Sequence, residues 1–228
     1  MTGWLVAVEG PSAAGKTRTV RAASQATGAT PLPEAYERLR PRPALTWATE
    51  GQLVRLERRL LREECRRYLD ARRMTEAGAT VLADTGFLGP LTYTMGLARR
   101  GLASRSALDA LLRTARQASA AGRWGLPDAI VYLRTPLVER RRRAASDPKG
   151  HPSALQARHQ AIAADEGRVF RTLVAPTFGD RFRYVSAAGP PDAVVRRLVR
   201  AVARSHTAAP RPSPDRLLRA IGHSEGVP

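Results

Sequence analysis

Lysine is almost missing from this chain. Of its 38 basic residues only Lys16 and Lys149 are lysines, so arginine serves nearly everywhere a positive charge will do. Cysteine is reduced to Cys65, which excludes an internal disulfide and a cysteine-based zinc site. Its place in a helical apolar stripe makes it a packed core thiol. Acidic residues are outnumbered, 20 against 38, for a formal net charge of +18. No stretch approaches the roughly 20 apolar residues that span a bilayer, and no basic segment with an apolar signal core opens the chain. No membrane partner is expected, and a cytoplasmic location is the default expectation. The arginine bias, with abundant Ala, Gly and Pro, reads as coding bias more than as a nucleic-acid footprint. A basic cleft would still draw nucleotides and other phosphorylated ligands.

One of the two lysines stands where arginine will not serve. Gly10-Pro11-Ser12-Ala13-Ala14-Gly15-Lys16-Thr17 follows an apolar strand, Trp4 to Val8, and opens a helix over Thr17–Ala26. In that setting G-x-x-x-x-G-K-T, the Walker A pattern, is a phosphate-binding loop. Gly10 and Gly15 permit the backbone geometry, and successive N–H groups at the helix N-terminus face the phosphates. Lys16 is a compact ammonium that reaches the β- and γ-phosphates, where a wider guanidinium would not fit. The Thr17 hydroxyl would hold magnesium. The cofactors expected are therefore ATP and Mg2+.

Beyond the loop, strand and helix alternate, which argues for an α/β/α sandwich with a five-stranded parallel sheet. Ala29–Pro33 is a short second strand and Thr46–Glu76 a long helix. The charges of that helix, among them Glu57, Glu63, Glu64 and Asp70, read as a solvated face. Ala79–Ala83 is the third strand, ending at Asp84. Helices follow over 91–100 and 104–120, then strand four over Asp128–Leu133. Helix 135–145 is interrupted by Ser146–Pro152 before a helix over Ser153–Val174. Phe182–Val185 is strand five and 191–204 the closing helix. Residues 205–228 read as a flexible tail with one short helix around Leu217, Leu218 and Ile221.

Five segments in order resemble the P-loop small-molecule kinases of the thymidylate kinase and deoxynucleoside kinase group, with nicotinamide-riboside-kinase-like NTPases beside them. They are the phosphate loop, Leu32–Tyr36, Val81–Phe87, Tyr132–Arg140 and Tyr184–Ala187. The resemblance covers about residues 3–204. It implies a kinase domain over 1–204 with a helical lid about 139–168. One departure stands out: such kinases usually carry an arginine just after the strand-three carboxylate, and here Thr85 occupies that place. An arginine from elsewhere, or a substrate of another kind, is expected instead.

The resemblance also implies roles. Glu34, at the carboxyl edge of the sheet where ligands bind, matches the general base on the accepting hydroxyl. Asp84, at the same edge, would hold magnesium through water or act as the base. From the Arg140–Arg143 run, which spans a full helical turn, Arg140 and Arg143 would clamp the transferring phosphoryl group. Arg158 and Arg168 are weaker candidates. Tyr36, Trp47, Gln52 and Phe87 fall among the acceptor-binding positions, and Ala187 in the loop against adenine. Asp128 has no role, and His151 and His159 are surface residues.

An ATP-dependent kinase of a nucleoside or nucleotide is the expectation. The alternatives are a kinase of a specialised metabolite or antibiotic, a nucleic-acid-dependent NTPase or polynucleotide kinase, and a regulatory nucleotide switch. The partner expected is a small-molecule phosphate acceptor, with a homodimer left open.

Overall fold

The computed structural model of the chain describes residues 3–145, 153–206 and 211–224. The expected interruption over 146–152, with Lys149 and His151, lies outside the described residues.

Strand β1 (Trp4–Glu9) runs into the phosphate loop and helix α1 (Lys16–Thr27), which ends at Gly28 in the left-handed region. Then come β2 (Thr30–Leu32), α2 (Ala35–Arg38), α3 (Glu50–Glu76), β3 (Thr80–Asp84), α4 (Gly89–Arg99) and α5 (Arg105–Ala120). The second half holds β4 (Ala129–Arg134), α6 (Leu137–Ala145) and α7 (Ser153–Val169). The chain passes through a wider π turn at Phe170–Val174 into α8 (Ala175–Phe178), β5 (Phe182–Ser186), α9 (Pro191–Ser205) and α10 (Pro214–His223). The five strands form one parallel sheet in the order β2-β3-β1-β4-β5.

Alternation along the strands divides the core. Leu5, Ala7, Val81 and Ala83 face α3, α4 and α5, joining Leu61, Leu91 and Leu111. Val6, Val8 and Leu82 face α1 and α9, joining Val20, Ala23, Val194 and Leu198. Cys65 packs half-buried against the first of these layers. No described helix is long and apolar enough to cross a membrane.

Two expectations are corrected. The region from 205 on is not simply loose, for α10 buries Leu217, Leu218 and Ile221 completely in the core beside α5. Ser213 caps that helix, and Arg211 ties it to Asp128 at 2.7 Å. The short helix expected around Leu217, Leu218 and Ile221 is there, and its apolar stripe is what docks the segment onto the core. The solvated face expected of α3 is the second correction. Glu57, Glu63, Glu64 and Arg67 are all buried there. They continue the i, i+3/i+4 stripe that Leu53 begins, so position rather than polarity decides where they point.

Candidate active site

The carboxyl ends of β1, β2 and β3 open into a cavity of about 620 Å³. Its phosphate end is Gly10 to Arg18. Gly15 stands in the left-handed region at φ 88°, Gly10 at φ 144°. A Cβ on Gly10 would lie 2.7 Å from the Leu133 carbonyl, so only glycine lets the loop pass over β4. Lys16 Nζ donates to Gly10 O at 2.8 Å and Pro11 O at 3.2 Å, folded back across the loop. The cradle, the lysine and the Thr17 hydroxyl at the first turn of α1 fit a nucleotide polyphosphate with its magnesium. Of the loop residues expected, Gly10, Ser12, Ala13, Ala14, Gly15, Lys16 and Thr17 line the cavity. Pro11 contributes its carbonyl to Lys16 and to Ala14 N.

From α6, two arginines behave differently. Arg140 lines the cavity, and its Nε and Nη1 are buried with no hydrogen-bond partner among the described residues. Burial lowers its tendency to hold a proton, against the pull of Tyr132 and Glu166. Unmatched guanidinium nitrogens beside a phosphate loop suit an incoming anion. Arg143, by contrast, donates to Ala14 O at 2.9 Å, Ala187 O at 3.0 Å and Glu139 Oε1 at 2.9 Å. It staples α6 to the phosphate loop and to the turn after β5. Ala187 itself is fully buried, its N–H on Arg134 O and its carbonyl on Arg143, so its side chain does not reach the cavity.

The carboxylates sort by strand alternation. Glu9 ends β1 on the α3 side and lines the cavity. Its Oε1 accepts the Gly86 N–H at 2.8 Å. Burial raises its pKa against the opposing pull of Lys16. Asp84 pairs in register with Val8 and follows Leu82 onto the α1 side. It is 3% exposed and absent from the cavity lining. It therefore sits behind the cavity wall, on the side of the sheet that α1 covers. Glu34, just before α2, does line the cavity.

Behind Thr85 stands an arginine of α3 that does not line the cavity. Arg67 on α3, fully buried, donates through Nη2 to Asp84 O and Thr85 O, both at 3.0 Å, and through Nη1 to Glu64. Its guanidinium also lies 5.4 Å from the Phe87 ring centre. Thr85 sits at φ 62°, a turn conformation unusual for a branched residue. Arg67 holds that turn from behind. Sequence reading missed it, although a charged residue at a core position of an amphipathic helix was the signal.

Tyr36 and Trp47 line the same cavity, with Leu45, Leu56, Pro90 and Tyr93. Phe87 does not. It is fully buried, edge-on to Tyr68, because the Thr85 turn sends the chain inward. Gln52 is also corrected. Its side chain accepts from Ala48 N and Thr49 N in the capping box of α3, outside the main cavity. His159 is no surface residue: it lines the cavity edge-on to Tyr93. Arg158 lies over Trp47, 4.4 Å from the ring centre, while Arg168 is exposed. Asp128 has its place at the opposite edge, where its carboxylate accepts Leu5 N at 2.9 Å. Among the described residues no group of three or more His, Cys, Asp or Glu could hold a metal ion by itself.

No protein-family model matches the sequence, and no curated protein matches it. Solved structures do match in fold. Deoxyadenosine kinase from M. mycoides with bound dATP has a TM-score of 0.68 at 12% identity, covering 88% of this chain and 99% of that one. The same enzyme with products dCMP and dCDP bound gives 0.62 at 12% identity, over 87% and 98%. Thymidylate kinase from Candida albicans gives 0.60 at 15% identity, over 89% and 92%. The chain has a P-loop kinase fold. Within that class its likeness is to deoxynucleoside and nucleotide kinases.

Proposed function

We propose that the protein is an ATP-dependent phosphotransferase that moves a γ-phosphate to a small-molecule acceptor, with a nucleoside or nucleotide as the favoured class. One observation carries the reading. A single cavity joins the phosphate cradle and the unmatched nitrogens of Arg140 to a carboxylate-bearing, aromatic-walled compartment. The cradle from Gly10 to Thr17 orients the polyphosphate, and Lys16 leaves the Gly10 and Pro11 carbonyls to neutralise its outer oxygens. Magnesium, when bound, supplies charge neutralisation between the β- and γ-phosphates. Thr17 would hold it, with Asp84 behind through water. Arg140 stabilises charge on the group in flight as α6 and α7 act as the lid. Glu34 orients the acceptor hydroxyl and takes its proton.

A screen of transfer from γ-labelled ATP across nucleosides, nucleotides and amino-sugar antibiotics tests this directly. Lys16→Ala must abolish transfer in a protein that melts normally; full activity in that variant refutes the cradle. Stimulation of turnover by polymer, with steep salt dependence, would transfer the assignment to a nucleic-acid-dependent NTPase.

A further inference from the structure

For so basic a chain, the acceptor end of the cavity is an exception in charge. The cations that line the cavity, Lys16, Arg18, Arg140 and Arg143, all belong to the phosphate loop, α1 and α6. The acids that line the same cavity are Glu9, Glu34, Glu57, Glu64 and Glu166, of which Glu9 and Glu166 face Lys16, and Glu166 faces Arg140 as well. Glu64 is matched by Arg67. Glu57 is not matched. It is 3% exposed, lines the cavity from the first third of α3, and meets neither a hydrogen bond nor a cation among the described residues. Its charged neighbour is another carboxylate, Glu166. The nearest basic group on that wall, Arg158, has its guanidinium on the Trp47 ring and the Tyr93 hydroxyl.

Resting on the phosphotransferase reading above, we propose that the acceptor is an alcohol bearing a cationic amine, and that Glu57, with Glu166 beside it, is the receptor for that amine. A buried carboxyl with no partner either keeps its proton or waits for a cation. Burial and the neighbouring Glu166 push Glu57 up to about 8, while burial raises Glu166 to about 7 against the pull of Lys16 and Arg140. An arriving ammonium forms the charge-assisted pair with the Glu57 carboxylate, and the carboxyl proton leaves to solvent. The aromatic walls take the flat or apolar ring of the same molecule. A monophosphate placed there finds no cation beside Glu57 to pair with, so the amine-bearing alcohol is chosen over a nucleotide acceptor.

Calorimetry on the full chain with matched twins decides the point: 3′-amino-3′-deoxyadenosine against adenosine, and 2-amino-2-deoxyglucose against glucose. At least one amine must bind about tenfold tighter than its hydroxyl twin, the scale of one charge-assisted bond. Its binding enthalpy must vary with buffer ionisation near pH 7, reporting the released proton. Glu57→Gln must bring that ratio close to one. Equal affinity within both pairs, no binding of either amine, or a preference that survives Glu57→Gln overturns the proposal. If Glu57→Gln fails to fold, the twin comparison on the unaltered protein decides alone. A parallel Mg·ATP titration separates the two layers: ATP binding without amine preference sinks this proposal only, whereas absent ATP binding sinks the kinase reading.

Discussion

Replacing Arg67 with methionine removes the guanidinium that holds the Thr85 turn from behind. Three interactions go at once: the ion pair to Glu64 and the bonds to the Asp84 and Thr85 carbonyls. Methionine roughly fills the volume, so the loss is polar. Removing one partner of a buried ion pair costs about 3–5 kcal/mol, which is a fall of roughly 6–20 °C in Tm for a chain of this size. The loss depends on pH in a defined direction. Burial raises Glu64 to about 7 even with Arg67 beside it. Below that value Glu64 already holds a proton and Arg67 gains little from it. Above it, Arg67 stabilises an anion, so the variant must lose more at pH 8 than at pH 6. Urea unfolding at both pH values measures this. Arg67→Met with Glu64→Gln must recover part of the loss, because the stranded acid is gone. A single variant within about 1 kcal/mol of the parent, or a loss that ignores pH, refutes the reasoning.

Stability of the unaltered chain should itself fall as pH rises from about 5 to about 8. Glu57, Glu64 and Glu166 are held protonated by burial, to about 8, 7 and 7. The unfolded chain ionises first, so each stabilises the fold below the ordinary carboxylate range and loses that contribution as pH climbs through its raised value. A thermal melt series that peaks near pH 8 contradicts this. Gly86→Ala brings a Cβ into Glu9 Oε1 and to 3.1 Å from Ala7 Cβ. It should cost about 1–3 kcal/mol and disturb the Glu9 bond, visible in denaturant midpoints; an unchanged midpoint would mean that the turn has slack. Leu218→Ala in α10 should cost about 2–5 kcal/mol, against almost nothing if the segment were loose.

What could be read from residues alone followed from strong local physics. The strand, loop, lysine and helix around Gly10–Thr17 agree at every level, and the five strands follow from short apolar runs such as those ending at Asp84 and Arg134, whereas their order in the sheet emerges only from the fold. Glu57, Glu64 and Arg67 were hidden because charge was read before periodicity; their burial follows from sharing a stripe with Leu53 and Leu61. Glu9 was legible in principle, as a carboxylate at a strand end directly before the loop. Gln52 and Phe87 were misplaced by local geometry that spacing does not encode: a helix cap at Thr49 and a left-handed residue at Thr85. The staple made by Arg143 depends on loops distant in the chain, Ala14 and Ala187, which no local pattern brings together.

The three tryptophans occupy three unlike settings. Trp124 is sealed in the core with its indole N–H on the Phe87 carbonyl, Trp4 stacks near His206, and Trp47 alone borders the cavity beneath Arg158. The molecule thus carries its own optical gauge. Emission from Trp47 will register occupancy of the cavity, while that of Trp124 stays unchanged until the chain unfolds.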